Sequence, residues 1–207
     1  EKFIDDTVSV GIGKILAADF NHGSRSFYSF LYEREDDENY YDYFDDKGNT
    51  LRKAFLRAPL KFSRISSRYN PRRFHPVLKR VKAHLGTDYA AAHGTPIMST
   101  ADGEVIAAGY TRGNGNYVKV KHNSTYTTQY LHMSKFAKGL KKGRVVKQGD
   151  VIGYVGSTGL ATGPHVCYRF WKFGKQVDPL REELPEAEPV KPEYRDDYLE
   201  FMSELKA

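Results

Sequence analysis

The chain has 207 residues, of which 40% are hydrophobic and 14% aromatic, enough to build a core in one or two domains. Its mean hydropathy is −0.62 and no apolar run approaches the roughly 20 residues of a transmembrane helix, so we expect no membrane span. The single cysteine, Cys167, excludes an internal disulfide framework. The chain begins at Glu1 without a signal-like segment, so we expect a mature or trimmed fragment whose targeting peptide lies outside it.

Charge is distributed unevenly along the chain. Residues 51–185 contain 24 Lys and Arg against 7 Asp and Glu, whereas residues 1–50 contain 5 against 12 and residues 186–207 contain 3 against 7. A basic centre suits an anionic polymer such as nucleic acid, a lipid headgroup or an acidic cell-wall glycan, or it is a solvated surface neutralised by the acidic ends. Nucleic acid is disfavoured, because the basic residues share no periodic face and aromatic interleaving is confined to the acidic N-terminal part.

Residues 1–58 predict a small β subdomain. Strands are expected at 7–15, 26–32 and 39–44, which are rich in β-branched and aromatic residues. Turn-forming residues cluster at 21–24 and at 45–49.

Residues 59–184 predict the main unit, an antiparallel all-β domain. Its short strands are separated by glycine-containing turns every 8–12 residues, and helical periodicity is almost absent. Two hairpins are expected, one pairing residues 94–98 with 103–108 and the other pairing residues 117–122 with 126–132.

Residues 185–207 predict a linker followed by a short helix. Three prolines lie between positions 185 and 192, and apolar residues recur at helical spacing from Tyr198 to Leu205. We expect the apolar face of this helix to dock on the chain's own body rather than on a partner.

Residues that can bind a metal occur at three places, one of which is His132 at the end of a predicted strand. His165 and Cys167 are two apart in an alternating stretch, so in a strand they share a face. His84 and Asp88 are four apart, which suits either one helix face or an irregular turn around Gly86. Such side chains form zinc sites, although they could equally be unrelated structural residues. A Cys-His nucleophile is the weaker alternative, because no third orienting group is evident.

Several motifs occur in an order that resembles the lysostaphin-type, or LytM-like, zinc metallopeptidases, over about residues 60–182. The matching segments are His84-Leu85-Gly86-Thr87-Asp88, Tyr130-Leu131-His132-Met133-Ser134, the glycine-rich block at 149–159, and Thr162-Gly163-Pro164-His165. The resemblance is nearest to the Gram-negative cell-wall endopeptidases. It implies a mainly β fold in which an antiparallel sheet carries an open groove, hydrolysis of peptide cross-links in peptidoglycan, and a location in the periplasm or cell envelope of a Gram-negative bacterium.

The resemblance also implies roles for individual residues. His84 and Asp88 match the first two zinc ligands, while His132 and His165 match the two catalytic histidines that help to deprotonate the zinc-bound water and stabilise the tetrahedral intermediate. The family pattern His-x-His ends in the third ligand, but this chain has Cys167 there. A thiolate binds zinc well, so we expect Cys167 to be the third ligand, with slower hydrolysis or an altered metal preference.

The resemblance further suggests a substrate-binding set. Asn70 and His75 lie in the lead-in to the groove and are either substrate-side or structural. Tyr130 is expected on the same strand face as His132, where it could hydrogen-bond in the groove. The expected partners are peptidoglycan stem peptides, whose carboxylates suit the basic centre of the chain. The competing interpretation is a catalytically silent LytM-like domain that binds the wall or activates another wall hydrolase.

Overall fold

The structure of the protein is a computed structural model. It describes residues 2–4, 8–11, 13–36, 40–75, 80–81, 83–185 and 187–206. The chain forms two compact units, one made of Glu1–Ala54 with Pro185–Ala207 and the other of Phe55–Leu184. None of the helices in the described part has the length and hydrophobicity that a bilayer crossing requires.

The first unit is a small β structure covered by the C-terminal helix. Its strands are β1 (Lys2–Ile4), β2 (Val8–Gly11), β3 (Ala17–His22), β4 (Arg25–Glu33) and β5 (Tyr41–Phe44). Strands β1 and β2 form an antiparallel pair, and β3, β4 and β5 form a three-stranded antiparallel sheet. A short 3₁₀ turn at Pro192–Tyr194 leads into α1 (Arg195–Lys206).

The helix α1 docks on this sheet through its apolar face, as its periodicity predicts. Tyr198 is fully buried against Phe30, Tyr32 and Phe44. Its hydroxyl also donates to the Asp45 carbonyl oxygen at 2.7 Å. A buried tyrosine therefore has both an apolar environment and a partner for its polar end.

The second unit is a ten-stranded antiparallel sheet. Its strands, in chain order and together with the separate β7–β8 ribbon, are β6 (Arg64–Ser67), β7 (Phe74–His75), β8 (Arg80–Val81), β9 (Thr87–Ala90), β10 (Pro96–Met98), β11 (Gly103–Thr111), β12 (Gly115–Lys121), β13 (Tyr126–Phe136), β14 (Val145–Val146), β15 (Val151–Val155), β16 (His165–Lys172) and β17 (Lys175–Val177). The principal order is β14-β11-β12-β13-β16-β9-β6. The mainly β, antiparallel fold predicted from the sequence is confirmed.

The two expected hairpins have different outcomes. Strands β12 and β13 pair as predicted. The other hairpin is wrong, because β10 pairs with β15 whereas β11 pairs with β12 and β14. The Asp102-Gly103 turn therefore separates strands that find partners elsewhere in the chain.

A cluster of hydroxyl groups lies in the core between β13 and β16. Tyr130 and Tyr168 are opposite each other across these strands and are almost completely buried. The Thr100 hydroxyl lies 3.0 Å from each tyrosine oxygen, and the Thr100 backbone N–H donates to Tyr130 at 2.9 Å. Each hydroxyl of this cluster thus has a protein partner.

This position corrects the interpretation of Tyr130 as a substrate-binding residue. Its side chain has no exposed surface, and its hydroxyl group is engaged by Thr100 and Thr128. Because consecutive residues of a strand point to opposite faces, Tyr130 lies on the face opposite Leu131, which pairs with Cys167. Tyr130 therefore stabilises the sheet from the face opposite the Cys167 side chain and does not reach a substrate.

We expect Tyr130→Phe to lower the free energy of unfolding of this unit by about 1–3 kcal/mol, because it leaves the buried Thr100 N–H without its acceptor. Denaturant unfolding followed by the fluorescence of Trp171, the single tryptophan, measures the change. Tyr110→Phe is the matched control, since Tyr110 is 63% exposed. Equal stability of the two variants would show that the hydroxyl cluster contributes nothing.

Candidate metal centre

The pairing of β9 with β16 brings a carboxylate and a thiol together. Asp88 lies directly opposite Cys167 in this antiparallel ladder, so both side chains project from one face of the sheet. His84 lies just before β9, and its Nε2 is 3.0 Å from Asp88 Oδ1 and 3.8 Å from Cys167 Sγ. The three potential ligand atoms all lie within 4.8 Å of one another. The i, i+4 spacing of His84 and Asp88 thus arises from a strand and its lead-in, not from a helix.

Backbone contacts fix the orientation of the His84 ring. Its Nδ1 lies 3.0 Å from the Arg68 carbonyl oxygen, which can only accept, so Nδ1 carries the hydrogen. The backbone groups of His84 and Asn70 bond to each other in both directions, at 2.8 and 2.9 Å. The ring therefore presents Nε2 to the other two ligands, and this type of carbonyl contact is common for metal-binding histidines.

The acidities of the two other groups are set by their close packing. Burial raises the pKa of the Asp88 carboxyl, but the hydrogen bond and charge of His84, with smaller effects of Cys167 and His165, leave it below its usual value. Burial and the Asp88 charge raise the pKa of the Cys167 thiol to about 12, against the opposing effect of Arg169. Without a metal the thiol is protonated at neutral pH, and a divalent cation would displace that proton.

This set of donors fits zinc. One imidazole nitrogen, one carboxylate oxygen and one sulfur converge from the same face, and Zn²⁺ accepts all three ligand types. Three protein ligands leave a fourth position for water or substrate, which distinguishes catalytic from structural zinc sites.

Two further histidines lie beside this cluster. The rings of His132 and His165 are 4.8 Å apart, and His165 Nε2 lies 3.9 Å from Asp88 Oδ1. Each ring donates its Nδ1 hydrogen to a backbone carbonyl at 2.8 Å, His132 to Thr158 and His165 to Gly163. Because Nδ1 of each ring is engaged by a carbonyl, Nε2 is the ring atom left for proton transfer, an acceptor when the ring is neutral and a donor when it is protonated.

The backbone at His132 departs from regular strand geometry. Its φ is +64°, a left-handed value that is uncommon outside glycine, and its N–H bonds the Asn114 carbonyl at 2.9 Å. Regular alternation would place His132 on the face of Tyr130, as expected from the sequence. The left-handed turn instead brings the ring against His165 on the opposite face. Burial, reinforced by His165, lowers the pKa of His132 despite its bond to Thr158.

Thr158 is a positioning residue that the sequence did not identify. Its carbonyl accepts from His132, while its hydroxyl donates to the Met133 carbonyl at 2.8 Å and accepts from the Asn116 N–H at 3.0 Å. The loop reaches this position because Gly115 and Gly159 touch, and a Cβ on Gly159 would fall on the Gly115 backbone nitrogen. The two glycines could have indicated this close approach in the sequence. They could not have indicated that the group holding His132 is a backbone carbonyl, which every residue has.

The remaining predicted residues have simpler surroundings. Asn70 is exposed, and its Oδ1 accepts from the Arg72 N–H at 2.9 Å, so its visible contacts are structural. His75 pairs through its backbone with Arg80 in the β7–β8 ribbon, and its side chain lies outside the described part of the structure.

Comparison with known proteins identifies the family. The sequence profile of Peptidase family M23 matches residues 82–179. The catalytic domain of the prophage-encoded M23 protein EnpA from Enterococcus faecalis, solved as a mutant, is 33% identical with a TM-score of 0.53, and the match covers 97% of that domain and 61% of this chain. This chain belongs to peptidase family M23. The resemblance inferred from the sequence motifs is thereby confirmed.

Two other M23 relatives come from Vibrio cholerae. The peptidoglycan DD-endopeptidase ShyC is 45% identical over 190 residues, which cover 92% of this chain and 42% of ShyC. The crystal structure of a zinc-containing peptidase is 38% identical with a TM-score of 0.61, and the match covers 87% of this chain and 54% of that one. This M23 chain thus spans only about half the length, or less, of these two relatives.

We expect Gly86→Ala to weaken zinc binding about tenfold or more, because a Cβ there would lie 2.8 Å from Cys167 Sγ and 3.0 Å from the Tyr168 carbonyl oxygen. The backbone of β16 cannot yield without moving the ligand. Gly109→Ala is the matched control, since its Cβ would enter open space. Zinc content after dialysis measures the effect, and equal content in both variants would contradict it.

Proposed function

We propose that this chain is a zinc-dependent endopeptidase that hydrolyses peptide cross-links of peptidoglycan, with residues 59–184 as its catalytic unit. The observation that carries the proposal is the convergence of three ligand atoms within 4.8 Å, with two histidines beside them whose Nδ1 atoms are held by backbone carbonyls. His84, Asp88 and Cys167 would hold Zn²⁺, which when bound supplies the Lewis acidity that activates water and polarises a peptide carbonyl.

The two histidines divide the proton chemistry. His132 is neutral and held by Thr158, so its Nε2 accepts a proton from the attacking water. His165, held by Gly163, would act in its protonated form, in which Nε2 also carries a hydrogen and can donate to the charge that develops on the tetrahedral intermediate. Both rings are fixed before substrate arrives, which reduces the reorganisation needed during the reaction.

The substrate class follows from charge and from the relatives. Peptidoglycan stem peptides carry carboxylates, and residues 51–185 contain 24 Lys and Arg against 7 Asp and Glu. ShyC and ShyA are named as peptidoglycan DD-endopeptidases. We infer the same substrate for this chain, acting in the periplasm or cell envelope of a Gram-negative bacterium.

Digestion of purified peptidoglycan tests the function. We expect the zinc-loaded chain to release new muropeptides, a chelator to stop the release, and added Zn²⁺ to restore it. His132→Ala should retain zinc but lose about 10²–10⁴-fold in rate, because it removes the proton acceptor. His93→Ala, which changes an exposed histidine, is the control. A zinc-free chain that releases no product would favour the alternative, a silent domain that binds the wall or activates another hydrolase.

Variants of Cys167 test the third ligand. Cys167→Ser should lose most of its bound zinc, because a neutral hydroxyl is a poor substitute for a thiolate. Cys167→His should keep zinc and raise the rate, because Asp88 and a thiolate together neutralise Zn²⁺ and weaken its Lewis acidity. Full zinc occupancy in Cys167→Ser would refute the ligand assignment. An unchanged or lower rate in Cys167→His would contradict the charge argument.

A further inference from the structure

Arg169 lies on the same face of β16 as the candidate metal ligands. It is two residues beyond Cys167 and opposite the buried Gln129 of β13. A Cβ on Gly86 would lie 2.8 Å from Cys167 Sγ and 3.0 Å from Arg169 Cγ, so the two side chains converge over this glycine. The aliphatic part of the Arg169 side chain therefore packs beside the Cys167 sulfur rather than in open solvent.

One buried polar atom of Arg169 has no hydrogen-bond partner among the described residues. This atom is Nε, and no carboxylate in the described part of the chain forms an ion pair with the guanidinium group. An unpaired buried donor on a charged group is costly, and each such case requires an explanation. A neighbouring group that can become an anionic acceptor is the Cys167 sulfur, which is only a weak acceptor while it is protonated.

We propose that Arg169 is a positioning residue that donates a charge-assisted hydrogen bond to the Cys167 thiolate when the metal binds. The inference rests on the proposed function, in which Cys167 is the third ligand. It gives the orphaned donor a partner in the loaded state. It also restores a positive charge to a site that Asp88 and the thiolate would otherwise bring to neutrality.

Two opposing interactions decide whether the guanidinium group of Arg169 strengthens or weakens metal binding. The guanidinium group repels the incoming cation, but it also stabilises the thiolate that must form before the metal can bind. The Arg169 side chain packs beside Cys167 over Gly86, and its charge acts on the sulfur. Because charge interactions weaken with distance, attraction to the thiolate outweighs repulsion from the metal in the proposed arrangement. Removing the guanidinium group therefore weakens metal binding as long as the third ligand is a thiolate.

A double-mutant cycle between Arg169 and Cys167 tests the proposal. Zn²⁺ affinity is measured by chelator competition for the parent chain, Arg169→Gln, Cys167→His and the double variant. We expect Arg169→Gln to weaken Zn²⁺ binding about 10- to 100-fold in the parent, as loss of a partner to a metal ligand does. In the Cys167→His background the same change should leave affinity unchanged or increase it, because only the repulsion remains. An equal loss in both backgrounds would overturn the proposal and assign Arg169 a purely structural role.

The absorption of the Co²⁺-loaded chain gives an independent readout. A thiolate-to-cobalt charge-transfer band should be present in the parent and absent in Cys167→His. It should move to longer wavelength in Arg169→Gln, because a lost hydrogen bond raises the energy of the sulfur lone pair. An unmoved band would overturn the proposal. Arg181→Gln, at an arginine whose side chain is 88% exposed, is the matched control.

Failure of this inference and failure of the proposed ligand set give different results. If Cys167 is not a ligand, the parent lacks the charge-transfer band and Cys167→Ser binds Zn²⁺ as tightly as the parent. If Cys167 is a ligand but Arg169 plays no part, Cys167→Ser loses affinity while Arg169→Gln keeps it. Should Arg169→Gln fail to fold, as judged by thermal unfolding of the metal-free chain, Arg169→Lys retains the charge without Nε and should show an intermediate band shift. A band identical to that of the parent would refute the proposal.

Discussion

The antiparallel pairing of β9 with β16 is the constraint on which the site depends. It places Asp88 opposite Cys167, and on the other side of β9 the backbone bonds between Asn70 and His84 bring the histidine to the same face. A shift of register by one residue would move Asp88 to the opposite face and separate the ligands. The buried Tyr130–Thr100–Tyr168 cluster on the far face holds β16 against β13 and so stabilises this register.

A second group of interactions places His132, and it works against local backbone preference. A non-glycine residue with positive φ costs on the order of 1 kcal/mol or more, so surrounding contacts must maintain it. Here the Asn114 carbonyl holds the backbone of His132 and the Thr158 carbonyl holds its ring. The close approach of Gly115 and Gly159 makes both contacts possible. Strain at this position thus sets the direction of a side chain that the proposed reaction uses.

The sequence predicted those parts of the fold and site that depend on local pattern. Strand alternation placed His165 and Cys167 on one face, and the spacing around residues 123–125 gave the β12–β13 hairpin. It failed where distant segments decide the outcome. The partner of β10 is β15, which is more than 50 residues away, and a left-handed residue separated His132 from the face of Tyr130. The role of Thr158 was hidden because a carbonyl is common to every residue.

The presence of a thiol among the candidate ligands changes the electrostatics of the whole centre. A thiolate with Asp88 would cancel the charge of Zn²⁺, whereas a carboxylate with two imidazoles would leave it at +1. The acidity of a metal site depends on the groups around its ligands as well as on the ligands themselves. Arg169, which shares the packing space over Gly86 with Cys167, carries the positive charge that we propose to offset that difference. An anionic ligand in place of a neutral one is therefore compatible with a catalytic site when a positive charge on a neighbouring strand position compensates for it.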